Sequence, residues 1–591
     1  MNRPPIEGES VVASGTMMHA EGSARARRWL TSRRLVPLVI LGWAAAGCGT
    51  ILGIEDFEDG AATGGQGAAG GTGGNGAGAA GSGGNGGDGG NGGMGTPDFS
   101  FSILPVAVNV PYDGTNFVGV MINRTGGFDG AVEVTVDGPP AGLVFTPATI
   151  SMGSSEGAIS VGATGALVLD STFELKLSAT SGDITRTASV PARVTGKPGA
   201  LDLSFNGTGV YGDPLGPDGG ALLDVMVMSD GKVMASGRLY SISPTRFVTL
   251  RVLADGTADA AFGTNGQVNT AFTMSAGELG DAYALGEQLS GMVVVAGPLS
   301  LPAVTSDIGL VRLKDNGTED QIFFKDHHDL AVGDDYAYDM VIAPDDKLLL
   351  VGSRNDDFLV TRFTASGSLD STFAAPDGFL ATSLSPGMEA ARAMAVDPAG
   401  SIVAAGSGDF GAQSDVTLIR VSKDGVLDTT FGDMGKVILG APDANERAVA
   451  VAILPGGKIL VAGDMVTPGG RALLVGRLNA DGSPDTTFGA GGMVVAPVTD
   501  GEDHAADMRV LLDGRFVIVG HTVGGSAPGP LLARFLPNGD IDPTFGTGGV
   551  ATPFLGDSAR ITAVDLDAAE KLVVAATADG TYLSVIARIW N

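Results

Sequence analysis

The chain has 591 residues, 35 basic against 66 acidic, and a net charge of −31 at neutral pH. That balance excludes a nucleic-acid-binding surface, which must turn a basic face to phosphates, and a hydrophobic content of 44% excludes disorder throughout. Glycine supplies 94 residues, only 6% are aromatic, and the single cysteine excludes an intrachain disulfide.

Near the N-terminus, Arg25, Arg27, Arg28, Arg33 and Arg34 precede the apolar run from Leu35 to Ala46, which ends in Gly47-Cys48. A basic flank, a short apolar core and small residues describe a secretory signal, and the run is too short to span a bilayer as a helix. The arginines stand far from Met1, which makes Met17 or Met18 a candidate start. Ala45-Ala46-Gly47-Cys48 resembles the bacterial lipobox, with Ala45 where Leu is usual. The resemblance implies a lipoprotein signal peptide over residues 1–47, cleavage before Cys48 and acylation of its thiol. Two or three acyl chains anchor stably where one does not. Gly49 after the cysteine implies, by the same resemblance, the outer membrane and a surface-exposed protein of a bacterial envelope. A twin-arginine reading of Ser32-Arg33-Arg34-Leu35 is opposed by Pro37.

Residues 48–97 read as a tether. From Gly60 to Gly95, 20 of 36 residues are glycine, and nothing there offsets the entropy of ordering. A coil of that length reaches roughly 30–35 Å. The strict three-residue glycine period of collagen is absent.

Over residues 98–197, alternating segments such as Val118-Gly-Val-Met-Ile, Ala131-Val-Glu-Val-Thr-Val and Phe173-Glu-Leu-Lys-Leu are separated by turn signals, among them Ser181-Gly182-Asp183. They predict six or seven strands in an antiparallel sandwich. Gly138-Pro139-Pro140-Ala141-Gly142-Leu143, with Phe145-Thr-Pro-Ala-Thr behind it, is similar to bacterial Ig-like domains, which implies a spacer.

Residues 198–591 repeat. An Asp and Phe pair recurs seven times: Asp202/Phe205, Asp259/Phe262, Asp320/Phe323, Asp370/Phe373, Asp428/Phe431, Asp485/Phe488 and Asp542/Phe545. Successive Phe residues lie 57, 61, 50, 58, 57 and 57 positions apart, and a long fixed period marks a repeat architecture. Between these elements run apolar strands joined by hairpin signals such as Asp230-Gly231, Gly456-Gly457 and Asp513-Gly514, suited to tight primed turns. Four short strands per repeat predict one propeller blade. Arg251, Arg312, Arg362, Arg420, Arg477 and Arg534 each stand eight residues before the Asp, while Arg588 has no Asp after it and Asp202 no strand before it. That offset predicts a ring closed by the two ends of the region. The fold class is therefore read as all-β, an Ig-like sandwich followed by a seven-bladed β-propeller.

Asp-x-x-Phe-Gly-x-x-Gly with an upstream Asn/Asp-Gly resembles the delta-60 repeat family, which implies a β-propeller-like array of uncharacterised role on bacterial surface or secreted proteins. Phe323-Phe324-Lys325 and Phe373-Ala374-Ala375 depart from the pattern. Because the Arg, Asp and Phe stand in every copy, they read as structural: a guanidinium gripping the carboxylate or turn carbonyls, and a ring wedged between blades.

Function is sought where copies differ. Asp224, Asp339 and Asp507 share one position where other copies have Ala, and Asp326-His327-His328-Asp329, Asp334-Asp335 and Asp503-His504 add carboxylates and imidazoles. Asp224, Asp339, Asp507, His327 and His328 are candidate ligands for a divalent cation, calcium first. No known ligand spacing joins them, and a solvated acidic loop is the plainer reading. Nucleophile-elbow, P-loop and His-Glu-x-x-His motifs are absent. The expectation is a non-enzymatic, membrane-anchored surface lipoprotein that binds an extracellular protein or glycan, without cofactor or nucleic acid. The alternative is a metal-dependent hydrolase or lyase acting on extracellular polysaccharide.

Overall fold

The computed structural model describes residues 97–591 except 105–107, 113, 241–246, 273–278, 301–304, 324–325, 331–332, 412, 441–443 and 579–582. The signal segment, Cys48 and the glycine-rich stretch fall outside the described residues. Among the described residues the fold is all-β in nine small sheets, and no helix is long and apolar enough to cross a membrane.

Two of the sheets lie in residues 98–195. One holds Asp98–Leu104, Asn116–Thr125, Glu156–Ala163 and Leu143–Thr146; the other holds Val108–Pro111, Ile184–Thr195, Thr172–Ser181, Val132–Val136 and Ala148–Ile150. Val118, Val120, Ile159 and Val161 of the first sheet are buried, as are Val132, Val134, Leu175 and Leu177 of the second. This is the period-two burial of sheets with one face inward. The strands outnumber the six or seven expected, because Val108–Pro111, Leu143–Thr146 and Ala148–Ile150 are too short to show periodicity. Val108–Pro111 pairs parallel to Ile184–Thr195, a departure from the antiparallel expectation. By compactness the described residues up to Phe99, with Arg124–Phe128, fall in a separate unit from the rest, and within it the Phe99 and Phe128 rings meet at 5.1 Å.

The other seven sheets form a β-propeller-like repeat domain. Each has an inner strand, two middle strands and a short outer one, as in Glu446–Ile453, Ile459–Thr467, Gly470–Leu478 and Met493–Ala496. The first inner strand, Gly220–Val227, is buried at all eight positions. Both of its faces are covered, because it packs against Ala284–Glu287 of the next sheet and against Ala559–Leu566 and Leu572–Ala578 of the last. The sheets thus follow one another in a cycle. The sequence repeat and the sheet are out of phase by one strand: Lys436–Leu439, which follows Phe431, completes the sheet begun by Glu389–Val396. Val210–Asp213 accordingly joins Leu583–Ile589 from the far end of the region, in register Val210↔Ala587 to Asp213↔Ser584.

Candidate functional site

Each sheet has two unlike ends. At the first end lie the inner hairpin and the Asp/Phe element, built alike in all copies. Asp485 shows the local logic. Its Oδ1 accepts the Thr487 amide at 3.2 Å and hydroxyl at 2.7 Å, fixing a turn that places Phe488. Its Oδ2 takes Arg477 Nε at 2.6 Å and Lys458 Nζ at 3.1 Å. Arg477 Nη1 then crosses to the Pro537 carbonyl of the following repeat at 2.7 Å, and the guanidinium lies 4.5 Å from the Phe488 ring centre. Arg251–Asp259, Arg362–Asp370, Arg420–Asp428 and Arg534–Asp542 repeat the Nε bond at 2.8 Å, and Arg312–Asp320 at 2.9 Å. Phe262, Phe431, Phe488 and Phe545 are fully buried. Arg588 and Asp202 make the same bond at 2.7 Å between opposite ends of the region.

Glycine closes the element. Gly489 holds φ +53 and a Cβ there would overlap the Met493 carbonyl. In the departing copy Ala374 adopts φ 44 at the same place. The partner departure, at Phe324 and Lys325, falls outside the described residues.

The second end is irregular by construction. In six sheets the inner strand slips register by one residue, between Leu222/Asp224, Ala337/Asp339, Ala391/Ala393, Ala448/Ala450, Ala505/Asp507 and Ile561/Ala563; in the other, residues 281–283 interrupt the strand. A bulge re-aims the extra side chain. The residues so placed are Leu223, Tyr283, Tyr338, Arg392, Val449, Ala506 and Thr562. Six residue types occupy these seven positions, tyrosine twice.

Three of the candidate metal ligands stand beside these bulges. Asp339 accepts the Met340 amide and, across to the next sheet, the Met394 amide at 2.9 Å; Asp507 likewise holds Met508 and Val564, and Asp224 holds Leu285 at 2.8 Å. Each is wholly buried, and these bonds join neighbouring inner strands. Arg509, also buried, ion-pairs with Asp507 and Asp565 at 3.3 and 3.2 Å. Burial opposes its charge, but those carboxylates and Asp339 raise its pKa. Since Asp339 belongs to the third sheet and Arg509 to the sixth, the inner strands converge here.

The other candidates are dispersed. His327 and His328 lie in the outer strand Asp326–His328, and the His328 ring meets Phe363 at 4.8 Å. Asp335 caps a loop through the Leu330 amide, and burial pushes it up to about 6. His504 stacks on His521 at 4.7 Å. Among the described residues, no three His, Cys, Asp or Glu side chains are grouped to hold a metal ion.

What does gather at the second end is aromatic and cationic. The Tyr283 and Tyr338 rings meet edge to face at 5.5 Å, Tyr336 lies parallel to Tyr338 at 6.1 Å, and Arg392 sits 3.9 Å over the Tyr338 ring. Arg238 Nη1 donates to Asp281 Oδ2 at 3.0 Å. Burial raises the Tyr283 and Tyr336 hydroxyls, so both stay protonated donors at neutral pH. Sequence reasoning passed over these residues. A usable signal was present: Gly237, Gly297, Gly352, Gly406, Gly463 and Gly520 recur in the second strand, because a Cβ there would overlap the carbonyl oxygen of the residue two before the bulge. The glycine marks the bulge, and the bulge marks the position to compare.

The fold and site define a β-propeller-like repeat domain. Residues 229–262, 343–373, 398–431, 454–488 and 512–545 match the family described as a domain of unknown function (DUF5122) beta-propeller. Each matched segment runs from the inner hairpin or just before it to the buried Phe, leaving out the inner strand and its bulge. No curated protein matches. Among solved structures, the chain is similar to S-layer protein SbsC domains 4 and 5, at 18% identity over 17% of this chain and 54% of that one, with a TM-score of 0.14; it thus spans about half of that structure. SbsC domains 4–9 match at 10% identity over 83% and 82%, with a TM-score of 0.14. A SusE-like surface-located polysaccharide-binding protein from the Bacteroides thetaiotaomicron heparin utilisation locus matches at 10% over 83% and 72%, with a TM-score of 0.13. Scores this low carry no argument about fold or function.

Proposed function

We propose that this chain is a bacterial cell-surface lipoprotein that presents a seven-bladed propeller as a binding module. In this reading residues 1–47 are the signal peptide, Cys48 the acylated anchor, 48–97 the tether, 98–197 an Ig-like spacer and 198–591 the propeller. The cyclic packing of seven sheets and the pairing of Val210–Asp213 with Leu583–Ile589 support the blade count. The observation that carries the binding role is the contrast between the two ends. One repeats the same Arg, Asp and Phe in every copy, whereas the other varies the side chain from bulge to bulge, with six residue types at seven positions. A scaffold conserves its joints and varies its contact surface.

The Cys48→Ser chain tests both halves. Membrane fractionation should find it released or unprocessed where the native chain is retained; unchanged retention refutes the anchor. The released protein, mixed with isolated envelopes and extracellular polysaccharide, should cosediment. Replacing both Tyr338 and Arg392 by Ala should weaken this by about tenfold or more, as for interface anchors. Leu512→Ala, an 84% exposed side chain at the opposite end, should leave it unchanged. No cosedimentation with any fraction, or equal binding by the double variant, sinks the reading.

A further inference from the structure

On a chain of net charge −31, an arginine without a carboxylate is the exception. Thirteen of the described arginines in residues 201–591 have a carboxylate at ion-pair distance. Arg392 instead stacks on Tyr338. A guanidinium over a ring face still carries its N–H donors in its own plane, where they form the fork that fits a carboxylate.

The surroundings narrow the ligand. Leu223 and Tyr283 are only 4% and 3% exposed, so the apolar groups are largely spent within the fold. What remains on offer is the fork of Arg392, the partly exposed side chains of Tyr336 and Tyr338, and the donor and acceptor of the Arg238–Asp281 pair. A protein partner would ask for an apolar centre within a polar rim. A ring bearing hydroxyls and one carboxylate asks for mixed donors and acceptors around a cation. The acidic field of the whole molecule opposes any anion, but it is screened beyond about 8 Å at physiological salt, leaving the local cation to decide.

We propose that Arg392, Tyr336, Tyr338 and the Arg238–Asp281 pair form a binding site for a carboxylated pyranose, as in a uronic-acid polysaccharide, which rests on the second end being the binding surface. The full chain is titrated calorimetrically with tetragalacturonate, maltotetraose and tetraglutamate. Tetragalacturonate should bind at least about tenfold more tightly than either control. Arg392→Met should remove that advantage, while Arg392→Lys, which keeps the charge and loses the fork, should retain part of it. Leu512→Ala, at the opposite end, should bind as tightly as the native chain. Thermal unfolding of each variant shows whether the fold is intact. Equal affinity for tetraglutamate, or an unchanged Arg392→Met variant of intact fold, overturns the sugar assignment in favour of acidic peptide or of another surface. No binding of any probe overturns it too; cosedimentation of the Cys48→Ser chain would still hold, so the two failures are distinguishable.

Discussion

Asp485 sits where burial and hydrogen bonding pull in opposite directions. Burial acts to raise its carboxyl, but donors from Thr487, Lys458 and Arg477 outweigh it and hold the group well below the usual carboxylate range. A carboxylate depressed in the folded state contributes stability above its unfolded value, near pH 4, and loses it as pH falls. Asp485→Asn should therefore lower stability by about 1–3 kcal/mol at pH 7, with the gap from the native chain closing below about pH 4. Urea unfolding at a series of pH values checks this; a gap independent of pH would show that charge plays no part. Asp370 is depressed in the same way, with Thr372 and Lys347 as donors. Asp335 behaves oppositely. Raised to about 6 by burial, it favours the fold only below that pH. Two aspartates thus give the same domain opposed acid responses.

At the scale of the element, the bulge decides what the inner strand can display. Gly463 is needed because a Cβ would strike the Arg447 carbonyl, a backbone atom that cannot swing away. Gly463→Ala should cost about 1–3 kcal/mol or more, as overpacking does, measured as a fall in the unfolding midpoint; a variant as stable as the native chain would mean that the strand can straighten. The seventh sheet carries Ala576 at this position, and there Thr562 donates to the Ala575 carbonyl at 3.2 Å. The Asp/Phe element was legible in the sequence because its partners lie eight and three residues apart, so the spacing reports the contact directly. The bulge was not, because its cause and its consequence stand on different strands: Gly463 faces Arg447 sixteen positions earlier. The shared Asp224, Asp339 and Asp507 were found for the right reason, as departures, but their carboxylates turn to amides of the neighbouring strand. Nothing in the identity of those residues could reveal that direction.

Across the whole molecule, the out-of-phase repeat was visible as a count: seven Asp/Phe pairs, with one Arg strand at the far end. The partner of that strand, Val210–Asp213, was not visible, since four residues of mixed polarity carry no period. Nor could the sequence show that Asp170, between strands of the first two sheets, would reach Lys571 of the last sheet at 3.2 Å, or that Lys571 would also hold Asp202 at 2.9 Å and lie 3.8 Å over the Trp590 ring. Gly196 passes so close to Trp590 that any Cβ would overlap its indole.

This seam has a mechanical meaning. Gly199 donates to the Trp590 carbonyl at 2.8 Å and Trp590 to the Ala200 carbonyl at 2.9 Å, so the segment entering the repeat domain is tied to the residue that follows its last strand. A pull on the N-terminal side would first load these bonds and the Lys571 cluster, which clamp the start of the region to its end. Behind them, the four residue pairs of Val210–Asp213 with Leu583–Ile589 run along the chain and would be strained together in shear. The other six sheets would feel tension only after that clasp had opened.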